Sequence, residues 1–329
     1  MTGYARLLWV LMVLVLVLSG VSLSLGPAKI GFAEAFHALG AGEDSMEAAI
    51  LWQIRLPRLL LGLLVGGSLG LSGAALQGLL RNPLAEPGII GVSASAGFGA
   101  VLALYFSAAG MTLSVPFSAM AGAGVATALL ILLASRDASV LTLILAGVAI
   151  NSLAGALTAL ALNLSPNPFA LADMVHWLMG SFADRSLEDV ALAAPFILLG
   201  MALLLLSGPG LRALVLGEET AASLGIGLLK LRLLVTIGAA LCVGAGVAVS
   251  GAIGFVGLVV PHLLRPLVGH DPARLLLPSA LAGAVLLVAA DSLVRILPGG
   301  TELKLGVVTA LIGAPAFLHM VWTTRRQMR

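Results

Sequence analysis

Ten runs of roughly 20 mainly apolar residues, the length a helix needs to cross a bilayer, recur through this 329-residue chain. They lie near 7–25, 57–80, 89–107, 115–134, 140–162, 191–207, 233–249, 252–266, 275–296 and 305–323. Inside hydrocarbon a backbone must satisfy its own hydrogen bonds, so such runs become helices. Only 10% of the residues are charged, against about 25% in soluble domains. The expected fold class is therefore an all-α polytopic membrane protein with about ten transmembrane helices. The eighth run is the weakest, being short and broken by Pro261, His262 and Arg265. The first, led by Arg6, has a signal peptide as its alternative, but its length and the lack of a small-x-small cleavage site favour a span.

Orientation follows from the basic residues. With an inside amino terminus, only six of the 17 lysines and arginines fall outside: Lys29, Arg55, Arg58, Arg185, Arg295 and Lys304. That asymmetry supports cytoplasmic termini by the positive-inside rule. It also makes the stretch 54-IRLPRLLLG-62 an anomaly, since Arg55 and Arg58 bracket a proline on the side where arginine is scarce. Pro57 is expected in a first helical turn, where its missing N–H is not needed.

An internal echo organises the chain. The segments 72-SGAALQGLLRNP-83 and 250-SGAIGFVGLVVP-261 each carry Ser-Gly-Ala with proline eleven positions after the serine. A looser pair is 147-GVAINSLAGA-156 and 306-GVVTALIGA-314. In the inferred topology the members of each pair run in opposite directions, as an inverted repeat of spans two to five and seven to ten requires. Glycine- or proline-interrupted segments at matching places in two halves point toward a transport pathway. The chain is read as one permease domain over residues 1–329: six spans across 7–207, a cytoplasmic loop at 208–232, and four spans across 233–323.

The chemistry is restrictive. There is no GxxxxGK[ST] loop to cradle a nucleotide, and no HExxH or paired-cysteine spacing for a metal. No cofactor or metal is expected. Cys242 stands alone, so no disulfide framework is possible. A net charge of +2 without basic tracts leaves no case for nucleic acid. Two alternatives to an externally powered conduit are open. The tetrapeptide 70-GLSG-73 matches the serine motif of intramembrane proteases, with Ser72 as nucleophile and His262 or His319 as base. An ion-coupled carrier needs ionisable groups within the membrane, and Asp291 is the only acidic residue inside an apolar run. Energy is thus expected from another chain, and the protein itself is not read as an enzyme.

The run 55-RLPRLLLGLLVGGSLGLSGAALQGLLRNPLAEPGIIGVS-93 resembles the signature of the FecCD family, the ABC-importer permeases for iron–siderophore complexes, haem and vitamin B12. The segments 145-LAGVAIN-151, 218-EETAASLG-225, 250-SGAIGFVGLVVPHLLR-265 and 306-GVVTALIGAP-315 extend the resemblance over nearly the whole chain. One departure is Lys304, where the family usually has proline.

The resemblance implies ten helices per subunit, a dimer with its pathway on the two-fold axis, and residence in a bacterial inner membrane. It also implies two cytoplasmic ATP-binding subunits and an external substrate-binding protein. The second permease is expected to be an identical copy or a paralogue. The cargo is ranked as an iron–siderophore complex first, with haem and cobalamin next. Arg55, Arg58 and Arg295 are expected to dock the binding protein, because an arginine fork suits carboxylates. Between spans six and seven, Gly217, Glu218 and Glu219 read as a helix start. There Ala221, Ala222 and Leu224 would offer a surface to the ATPase, with Gly225 as the helix end. Asn151, Ser152, Thr158 and Asn163 on span five are expected along the pathway, with Ser139 to Thr142 at its inner gate.

Overall fold

A computed structural model describes residues 3–26, 28, 45–108, 110–111, 113–134, 140–297 and 303–327. Among them the fold is helical throughout, without a strand. In chain order the helices are α1 (Gly3–Ser24), α2 (Met46–Leu79), α3 (Val92–Ala108), α4 (Val115–Ala134) and α5 (Val140–Asn163). Next come α6 (Pro168–Leu178), α7 (Leu187–Leu206), α8 (Gly208–Leu214) and α9 (Glu218–Ser223). The chain closes with α10 (Leu228–Ser250), α11 (Val256–Leu264), α12 (Pro272–Ile296) and α13 (Leu305–Gln327). Among the described residues seven helices are long and apolar enough to cross a membrane, and three shorter apolar helices stand at the places of spans three, eight and ten.

The centre is built by α2, α10 and α12. Of α2's most apolar window 83% is buried, against 17% for α5, which sits at the periphery. Glycine explains the difference. Cβ atoms added at Gly66 and Gly70 would collide with the backbone of α12 at Gly283 and Ser279. Helices lacking a hydrophobic drive to associate in lipid gain by such close backbone approach. The two glycines of 70-GLSG-73 belong to this packing, Gly73 lying against Gly257 of α11.

Four expectations need correction. The place of Pro57 holds only in part: it stands in the first turn of the α-helical stretch Leu56–Leu79, but α2 starts earlier, at Met46, where the Ser45 hydroxyl accepts from the Ala48 N–H at 3.1 Å. The helix passes through a π-turn at Leu51–Arg55 immediately before the proline. Proline removes one backbone donor from a helix, and a π-turn is a recognised way to absorb such a disruption. The eighth span, read as 252–266, is shorter. Residues 251–254 are non-helical, α11 has nine residues, and a 3₁₀ turn follows at Arg265–Val268.

The first echo is therefore not conformationally alike. Ser72 lies mid-helix in α2, whereas Ser250 ends α10 and Gly251 leaves it at φ +70°. Finally, α6 was not anticipated. Its 11 residues are too few for a span, but Asn167 caps it by accepting from the Ala170 N–H at 2.9 Å. At Lys304, the carbonyl accepts from the N–H groups of Val307 and Val308 and so opens α13 in the absence of proline.

Candidate functional site

The three outer arginines converge on one place, and it is enclosed. Arg55 is 3% exposed, its Nη1 donating to the Leu23 carbonyl at 2.6 Å and its Nη2 to that of Ala28. Arg58 donates from Nε to both carboxylate oxygens of Asp291, at 2.8 and 2.9 Å. Arg295 lies one turn beyond Asp291 on α12, 3.3 Å from its Oδ2. Its Nη1 donates to the carbonyls of Ser22 and Leu25, at 3.0 and 3.2 Å, and its Nη2 to the Ser22 hydroxyl. The carbonyls at the end of a helix lack intrahelical donors. Here guanidinium groups from α2 and α12 supply them, so the cluster fastens the carboxyl-terminal end of α1 to the core.

The expectation of three side chains projecting outward is accordingly revised. Asp291 is not an ion relay either, for it is the shared counter-ion of Arg58 and Arg295. Arg55→Met is expected to destabilise the solubilised protein by about 1–3 kcal/mol, because two carbonyls lose their donor. A fall in the thermal unfolding midpoint checks this; an unchanged midpoint contradicts it.

At the opposite face the loop between α7 and α10 folds as expected, with one addition and one reversal. The addition is α8 (Gly208–Leu214), which precedes the anticipated helix. Then Gly217 at φ +101° leads into α9, with Glu218 and Glu219 in its first turn, and Gly225 at φ +84° follows its end. Both glycines hold left-handed conformations that other residues adopt at a cost. Glu218 pairs with Arg232 of α10 at 3.0 Å. The reversal concerns Ala221, which is fully buried against the chain itself and has no face for a partner. Ala222 and Leu224 are exposed, Leu224 by 62%.

Of the pathway residues, Asn151, Ser152 and Asn163 are exposed on α5, and Thr142 lies exposed near its start. Thr158 donates its hydroxyl to the Ala154 carbonyl at 2.8 Å, one turn back in the same helix. Ser139 lies outside the described residues. Ser72 is buried beside the Cys242 thiol. No described histidine, His262 included, hydrogen-bonds its hydroxyl, and the side chain of His319 lies outside the described residues.

Three polar residues escaped sequence reasoning. Gln77 is 1% exposed, and its amide donates to the carbonyls of Ala85, Gly257 and Leu258, each at 3.3 Å, while its Oε1 accepts from Arg265. Glu86 accepts the N–H of Phe255 at 2.6 Å. The carboxyl of Glu86 is pushed above its usual range by burial, against the opposing pull of that N–H. Gln77 and Glu86 tie the 80–91 segment to the start of α11, and Arg265 in turn holds Gln77. Glu86 and Arg265 stand next to Pro87 and Pro266, whereas Gln77 carries no such mark, and nothing in the spacing says which groups the three serve.

Comparison with known proteins adds the context. A family model described as the FecCD transport family matches residues 11–323. The chain is 44% identical over 284 residues to the vitamin B12 import system permease protein BtuC of Vibrio cholerae, which covers 84% of each chain. It is 42% identical over 295 residues to the uncharacterized ABC transporter permease protein YvrB of Bacillus subtilis, covering 88% of this chain and 83% of that one. A solved structure described as an inward-facing conformation of a metal-chelate type ABC transporter superposes with a TM-score of 0.86. It is 35% identical, covering 97% of this chain and 99% of that one.

Proposed function

The chain belongs to the FecCD transport family, and from that premise we propose that it is the membrane conduit of an importer that takes up a corrinoid. It is a permease subunit of an ABC importer for a metal chelate. The corrinoid reading rests on one observation: relatives named for vitamin B12 or cobalamin import are 41–44% identical over 282 and 284 residues. This reverses the ranking of cargo drawn from sequence motifs, where an iron–siderophore complex stood first. A chelate travels inside its organic ligand and needs width rather than metal-binding side chains.

The partners follow from the same reading. Ala222 on α9 and Leu224 just beyond its end form the contact with a cytoplasmic ATP-binding subunit. The exposed face of α5, with Asn151, Ser152 and Asn163, lines the pathway opposite a second permease. An external binding protein meets the arginine end. There Arg55, Arg58 and Arg295 lie together, and a cluster of guanidiniums at one end of the chain suits an acidic partner even though each side chain is held. Arg55→Gln combined with Arg295→Gln is therefore expected to slow association of the binding protein and to flatten its salt dependence. An association rate unchanged at low salt removes this role.

Uptake decides the cargo. Vesicles carrying this chain with its ATPase and binding protein are expected to accumulate radiolabelled cyanocobalamin on addition of ATP, and a ferric hydroxamate far less. The reverse preference overturns the corrinoid reading and leaves the importer reading intact.

A further inference from the structure

The short helix α11 begins at a residue in an unfavourable backbone state. Phe255 has φ +67° and ψ −21°, a left-handed conformation that is uncommon outside glycine and exceptional for a bulky side chain. Strain of this kind persists only where the surroundings impose it, and it gathers at sites that switch.

Here two contacts impose it. Glu86, from the segment after α2, accepts the Phe255 N–H at 2.6 Å. On the other side, the base of the aromatic ring lies on Gly313 of α13. A Cβ added at Gly313 would approach Phe255 more closely than real Cβ atoms do. Phe255 packs together with Leu84 and Phe317 against Leu258 and Val259 in one apolar cluster. Beside the Glu86 carboxylate lies a cavity of about 140 Å³, lined also by Ser93, Ser250 and the non-helical residues 251–254. Three elements remote in sequence thus meet at one knob and its socket, and room for movement adjoins them.

We propose that Glu86 and Phe255 form a latch that transmits movement of the 80–91 segment and α11 to α13 during translocation. Glu86 holds the Phe255 backbone, and Phe255 seats its ring in the notch at Gly313. Both are positioning residues, and neither is assigned a contact with cargo. A tightly packed contact has few intermediate arrangements, so the three elements shift together rather than slide. The inference rests on the transport reading above.

The test uses the complete importer in vesicles, with cyanocobalamin as probe, and reads cargo moved per ATP hydrolysed. Phe255→Gly and Gly313→Ala are each expected to lower that ratio about ten-fold, the first by removing the knob and the second by filling the socket. Because they break one contact, the double variant should be no worse than either single one. Independent effects would instead multiply to about a hundred-fold. Glu86→Gln keeps the accepting oxygen and should stay within about two-fold of the parent, whereas Glu86→Ala should fall as Gly313→Ala does.

Losses that multiply, or Glu86→Ala moving cargo as the parent does, overturn the latch. Should Gly313→Ala not assemble, the two Glu86 variants decide. A parent complex that moves no cargo sinks the transport reading itself, which keeps the two failures distinguishable.

Discussion

Asp291→Ala is expected to destabilise the permease by about 3–5 kcal/mol, the usual cost of stripping one partner from a buried charge pair. The side chain of Asp291 is 3% exposed and faces Arg58 and Arg295, themselves 9% and 7% exposed. With the carboxylate gone, two guanidiniums keep their charge in a place with little water. Arginine cannot escape by losing a proton. The loss should spread outward, because Arg295 also holds the Ser22 and Leu25 carbonyls and thereby the end of α1.

Asp291→Asn separates the contributions, since it keeps an acceptor and surrenders only the charge. It should lie between the parent and Asp291→Ala. Thermal unfolding of the detergent-solubilised protein reads both. A midpoint for Asp291→Ala equal to the parent's would show that groups other than Asp291 neutralise the arginines.

Leu224→Glu carries the other large effect, on assembly rather than on stability. Leu224 is 62% exposed just beyond the end of α9, where no other part of the described chain covers it. A buried apolar anchor at a protein interface is worth about 2 kcal/mol or more, and a carboxylate there would also have to be desolvated. Attachment of the ATP-binding subunit should weaken at least about 30-fold, with the permease still folded. Ala222→Glu should act in the same direction.

Ala221→Glu is the informative contrast. That alanine is fully buried within the loop, so its replacement should unfold α9 and lose attachment for a different reason. Affinity measured by titrating the ATPase onto immobilised permease, together with a melting curve of each variant, distinguishes the two. Parent-like affinity of Leu224→Glu would move the contact off α9.

The spans were legible because hydrocarbon imposes a length on them. Those ending in charge or in Gly and Pro came within a few residues of the observed helices: α12 runs Pro272–Ile296 against an expected 275–296. The failures share a cause. Pro57 marks a helix start only when no helix precedes it, and the sequence does not show that Met46 begins one. Likewise 252–266 has the hydropathy of a span, but Gly251 and Phe255 take left-handed backbone states that hydropathy does not register.

For the site, residue types were readable and their partners were not. Arg55, Arg58 and Arg295 stood out by position in the sequence, yet Asp291 lies 233 residues from Arg58. The role of Ala221 depended on which side of a six-residue helix it occupies. Two glutamates at a helix start suggest its direction, but not its rotation.

The most direct test of the central claim, that this chain is a conduit powered from outside itself, is reconstitution by subtraction. Vesicles containing the permease alone, the permease with its ATP-binding subunit, and the complete set with binding protein are compared for ATP-dependent uptake of a labelled metal chelate. Accumulation only with the complete set, and its loss when hydrolysis is blocked in the ATP-binding subunit, is the expected result. Vigorous accumulation by the permease alone, driven by an ion gradient, would contradict it.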